Sequence, residues 1–67
     1  MPLIIFEGGK LDKDKKKVLV RELTETAAKV TGIGAHSFTI YVHENEHDNI
    51  GVGGQLLTEF LAERDQD

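Results

Sequence analysis

The sequence contains no cysteine, which excludes a disulfide framework, a thiolate metal centre and a cysteine nucleophile. It has no tryptophan and few other aromatics, with no exposed cluster of the kind that stacks on nucleic-acid bases. No window approaches the roughly 20 consecutive apolar residues that a spanning helix needs. The start also lacks the basic region and long apolar segment of a secretory signal. A cytoplasmic protein with no membrane partner is expected. Lysine and arginine are scarce in the second half, where Arg64 is the only one from Ala35 onward. With a net charge of −4, nucleic acid is disfavoured as a partner. The lysines at 13, 15, 16 and 17 alternate with Asp12 and Asp14 and read as a solvated helix face. Proline, too, is almost missing: the one present is Pro2, directly after the initiator methionine.

Sixty-seven residues allow one domain, and a domain of this size buries too little apolar surface to be comfortably stable alone. Small domains are supplemented by disulfides, by a structural metal or by association. Without cysteine, a homo-oligomer is the favoured solution.

Leu3 to Phe6 is a continuous apolar run behind a proline, and proline suits the first residue of a strand because it has no ladder donor to lose. Both faces of this strand, over about residues 2–7, are apolar, so a helix must cover one and a neighbouring subunit the other. Gly8 and Gly9 end it, and Asp12 stands where a helix N-cap belongs. A helix over about 13–31 follows, with Leu19, Leu23, Ala27 and Val30 as its buried stripe and Arg21, Glu22, Glu25 and Lys29 on the wet side. Gly32 supplies a left-handed stop. A second strand over about 38–44 sets Phe38, Ile40 and Val42 on one face and Thr39, Tyr41 and His43 on the other. Strand, helix, strand at these lengths is a βαβ unit with parallel strands and a right-handed crossover. Ile50 to Gly54 then reads as a tight hairpin or an arm reaching over another chain, and residues 55–63 as a short amphipathic helix. Asp65 to Asp67 are expected to fray. The fold class is α+β, one small domain over 1–67.

Loss of Met1 gives Pro2 a free secondary amine on a rigid ring, held in place by the strand that follows. An ordinary α-amino group titrates near 8, and an apolar site lowers that value by disfavouring the charged form, toward the range where a general base works best. The plainer reading is that Pro2 merely opens a strand.

The rest of the chain supports the chemical reading. Pro2 with its apolar strand, the Glu7-Gly8 ending, the helix with Leu19-Val20-Arg21-Glu22-Leu23-Thr24-Glu25, the second strand, and Gly51, Gly53 and Gly54 of the hairpin together resemble the 4-oxalocrotonate tautomerase family. The resemblance implies a protomer assembled as a trimer of dimers, a hexamer, with Pro2 as general acid and base on an enol or keto acid and with no cofactor. It also implies two arginines, one after the first strand and one on the second, and an aromatic residue ahead of the hairpin. This sequence departs at each: Lys10 is the only cation near the first position, Thr39 stands at the second and Ile50 at the third.

Lys10, Thr39 and Ile50 are therefore the candidate substrate contacts around Pro2. Thr39 offers a hydroxyl without charge, which weakens the case for a dicarboxylate substrate such as 2-hydroxymuconate. Tyr41 and His43 share its strand face and offer alternative hydrogen bonds, although such residues more often serve packing or an interface. His43 and His47 are four apart, a spacing that joins one face only on a helix, so no metal site is expected there. Two other functions fit the altered set: a hydratase or dehalogenase using the same proline, and a non-catalytic oligomer that binds a small molecule.

Overall fold

The computed structural model describes residues 1–65. Strand β1 spans Leu3–Gly8, helix α1 Lys13–Thr31 and strand β2 Thr39–Glu44. Both ends of α1 are fixed by local chemistry. The Asp12 carboxylate accepts from the Lys15 amide at 2.8 Å, satisfying one of the first-turn donors that a helix leaves free. At the other end Gly32, at φ 77°, returns its amide to the Ala28 carbonyl.

β1 and β2 pair in parallel, with Leu3 opposite Thr39, Ile5 opposite Tyr41, and Glu7 opposite His43. Strand alternation then divides the sheet. Ile4, Phe6, Ile40 and Val42 are half-buried, while Leu3, Ile5 and Tyr41, each more than half exposed, look out from the helix-free side. α1 sets Leu19, Leu23 and Ala27 toward the sheet, joined by Lys16, Thr24 and Ala28 at helical spacing.

Val30 departs from the expected stripe and is 79% exposed. Its helical angle is right, but nothing lies beneath it. A 19-residue helix is about 28 Å long, whereas a six-residue strand covers about 20 Å, so the last turn of α1 overhangs the sheet.

The C-terminal part also differs from expectation. Ile50 closes a 3₁₀ turn over His47–Asn49, and the hairpin is formed by β3, Gly51–Val52, against β4, Gln55–Leu56. Helix α2 consequently begins at Leu57, not at residue 55, and runs to Asp65. Gln55 and Leu56 are taken by pairing with Val52 and Gly51 across a turn in which Gly53 and Gly54 hold φ of 62° and 88°. Of the terminal residues expected to fray, Asp65 closes α2 and the last two lie outside the described residues.

Among the described residues none is fully buried. The chain measures 46 × 24 × 18 Å, with a radius of gyration of 16.0 Å, against about 11 Å for a compact domain of this length. Its accessible surface is 5361 Å², against about 4,200 Å² for a compact monomer of this mass. The hairpin and α2 project beyond the βαβ unit, and an apolar groove lined by Phe6, Leu11, Val18, Leu19 and Leu23 remains open beside it. No helix among the described residues is long and apolar enough to cross a membrane.

Candidate active site

Pro2 sits one residue ahead of β1 and is half-buried, and its carbonyl accepts from the Thr39 amide at 3.1 Å. This bond extends the parallel ladder by one step. It fixes the main chain of the residue whose nitrogen is in question while leaving that nitrogen outside the ladder. Met1 is fully exposed, and while it remains attached the nitrogen is an amide without basicity. Thr39 opens β2, half-buried, and its side chain shares the helix-free face with Tyr41 and His43.

Lys10 and Ile50 lie at the opposite end of the molecule. Lys10 follows Gly8 and Gly9, exposed, beside Asn45, Glu46 and Asp48 in a shallow depression. Ile50 is half-buried and its carbonyl accepts from Leu57 at 2.7 Å. Because the strands are parallel, the end that carries Lys10 and Ile50 is about 20 Å from the end that carries Pro2 and Thr39. A single chain thus sets Pro2 and Thr39 at one end of the strands and Lys10 and Ile50 beyond the other, not as one group.

The loop bearing Lys10 is held by Glu44. One carboxylate oxygen of Glu44 accepts from the Leu11 amide at 2.8 Å and the other from the Lys16 ammonium at 3.0 Å. The Leu11 amide first, and Lys16 after it, hold this carboxyl below its ordinary range.

A polar group that the sequence reading did not assemble occupies the same end of the sheet. Glu7 and His43 are register partners, and His43 Nδ1 lies 2.7 Å from one Glu7 oxygen while Asn45 donates to the other at 2.9 Å. Both carboxylate oxygens are acceptors, so His43 Nδ1 is the donor in this bond. Hydrogen bonds from Asn45 and then from His43 keep Glu7 below its ordinary range. The Tyr41 ring stacks on His43, with centroids 6.2 Å apart. The signal for this group was present in the sequence only as a consequence of register, which aligns residue 7 with residue 43. Among the described residues no group of three or more potential metal-ligating side chains converges.

A strand opened by proline, a helix crossing back and a parallel second strand, extended by a glycine hairpin, define a protomer of the tautomerase type. The family model described as "Tautomerase enzyme" matches residues 2–59, and the chain belongs to that family. It is similar to DmpI from Archaeoglobus fulgidus, at 42% identity over 85% of this chain and 98% of that one, with a TM-score of 0.77. It is also similar to TomN, a 4-oxalocrotonate tautomerase homologue of the tomaymycin biosynthetic pathway, at 24% identity over 91% and 95% of the two chains and a TM-score of 0.84; that likeness shows the fold. A third, the 4-oxalocrotonate tautomerase homologue TTHB242, shares 27% identity over 88% and 95% at a TM-score of 0.79. No curated protein matches the chain. Family membership supports a tautomerase-type enzyme.

Proposed function

We propose that the chain is a keto–enol tautomerase in which Pro2, once Met1 has been removed, serves as the sole general acid and base. The substrate is a 2-hydroxydienoate or a related enol acid. The neutral amine takes the hydroxyl proton and becomes a pyrrolidinium. The O–H electron pair becomes the carbonyl π bond, the enol π pair shifts to carbon, and the pyrrolidinium returns its proton there. Nothing is consumed and no cofactor enters. The observation that carries this reading is the anchoring of Pro2 by the Thr39 amide, at 3.1 Å, which holds a potential base on a rigid strand end.

The working unit in this reading is a homo-oligomer, a hexamer arranged as a trimer of dimers. Its support is the open protomer, which has no fully buried described residue, and the separation of the two residue pairs along the strands. A second copy running the opposite way brings Lys10 and Ile50 to the Pro2 end. Lys10 then steadies the developing oxyanion, Thr39 offers a hydroxyl to the acid, and Ile50 with Val52 forms an apolar wall that lowers the basicity of the amine. A cytoplasmic setting is part of this reading.

The test compares protein with and without Met1 in the ketonisation of phenylenolpyruvate, an enol acid with one carboxylate. Turnover is expected only from the processed chain. Equal turnover from both removes Pro2 from the mechanism.

A further inference from the structure

Helix α2 lies largely outside the family likeness. The match ends at residue 59, whereas α2 runs Leu57–Asp65. Its polar ties lead back to the segment that carries Ile50. Thr58 donates to Asp48, two residues ahead of Ile50, at 2.5 Å. Gln55, on β4, donates to Glu63 near the end of α2 at 2.8 Å, and the Leu57 amide donates to the Ile50 carbonyl at 2.7 Å. α2 packs on the His47–Asn49 turn and on the hairpin, and Leu57, Phe60 and Leu61 are half-buried there.

The hairpin needs such support. It has two residues per strand, and Gly51, Gly53 and Gly54 contribute the most pliant backbone available, two of them at positive φ. A two-stranded hairpin is at best marginally stable by itself. With Thr58 tied to Asp48 ahead of Ile50 and Glu63 tied to Gln55 on β4, the helix holds both the approach to the hairpin and its returning strand.

We propose that α2 is a clamp that positions the Ile50–Val52 wall of the site, with Asp48, Thr58, Gln55 and Glu63 as positioning residues. This rests on the reading of Ile50 as part of the Pro2 site. The hairpin then reaches the neighbouring copy already shaped, and the wall closes on the apolar part of the substrate. Loosening the clamp lets the wall draw back, which weakens substrate binding and returns the Pro2 amine toward its ordinary basicity.

The test uses full-length protein lacking Met1. Thr58→Val and Glu63→Ala remove the two side-chain ties, and Glu63→Gln keeps an acceptor for Gln55. Two lost hydrogen bonds predict a KM for phenylenolpyruvate raised on the order of tenfold in the double variant, with kcat changed by less than about twofold at a pH where the amine is neutral in both proteins. Amide exchange at Leu57 accelerates by a similar factor, Glu63→Gln behaves as the parent, and the pH profile of Pro2 alkylation moves to higher pH as the wall withdraws. Unchanged KM, or faster exchange at Leu57 with unchanged KM, overturns the positioning role. A parent without turnover overturns the Pro2 reading instead, and is recognised before any substitution is made.

Discussion

The Thr39 amide donates to the Pro2 carbonyl at 3.1 Å, joining the first residue of β2 to the residue ahead of β1. The bond uses main-chain atoms only, so it survives any side chain at position 39. In the proposed reading the mount of Pro2 is therefore separate from the grip on the substrate. A chain of this family can exchange a charged side chain for Thr39 without disturbing where Pro2 sits.

That separation predicts a gain of function. Thr39→Arg should raise kcat/KM for a dicarboxylate enol relative to phenylenolpyruvate on the order of tenfold, since guanidinium binds carboxylate in a bidentate fork that a hydroxyl cannot match. Steady-state kinetics on the two substrates checks this. An unchanged ratio places the Thr39 side chain away from the bound acid.

Glu44 gives the fold an acid-sensitive joint. Its carboxyl is held below the ordinary value of 4.5, chiefly by the Leu11 amide and then by Lys16. A depressed folded pKa means the contribution to stability is complete above the unfolded value and is lost as pH falls through the folded one. The melting temperature of the parent should therefore drop below about pH 4.5. Glu44→Gln, which keeps an acceptor for Leu11 but carries no charge for Lys16, should show a shallower acid dependence in thermal melts.

The hairpin turn should tolerate no side chain with a Cβ at either glycine. Gly53 and Gly54 hold φ of 62° and 88°, and an L-residue pays about 1–2 kcal/mol in that region. Gly53→Ala and Gly54→Ala should each lower stability by about that amount in denaturant unfolding. Gly9→Ala serves as the control: an added Cβ meets nothing within 4 Å there, and melts should be unchanged.

The main elements were legible because their signals are local. Asp12 and Gly32 mark the ends of α1 by their own chemistry, and the apolar run behind Pro2 marks β1. What escaped depends on partners distant in sequence. Val30 has the right helical angle, but a residue pattern says nothing of how far the sheet extends beneath it. Gln55 and Leu56 look like a first helical turn until Gly51 and Val52 pair with them. Glu7 and His43 meet only because the parallel register sets them opposite each other. The separation of Lys10 and Ile50 from Pro2 likewise follows from strand direction, which no motif spells out.

Assembly should be inseparable from stability. Leu3 and Ile5 are each 52% exposed on the helix-free face, beside Tyr41 at 53%, and a face of this kind has to be covered in a stable particle. Analytical ultracentrifugation should find a hexamer, with a melting temperature that rises with protein concentration. Ile5→Asp should shift the population to smaller, less stable species. A compact monomer that melts independently of concentration contradicts the assembly.

Alkylation by a halopyruvate across a range of pH reads whether Pro2 carries a free amine tuned to act as a base. After intact-mass measurement has established loss of Met1, the rate of Pro2 modification should rise with an inflection near pH 7, about one unit below an ordinary α-amino group. Modification that follows an inflection near pH 9, or that spares Pro2 in the processed protein, contradicts a catalytic Pro2.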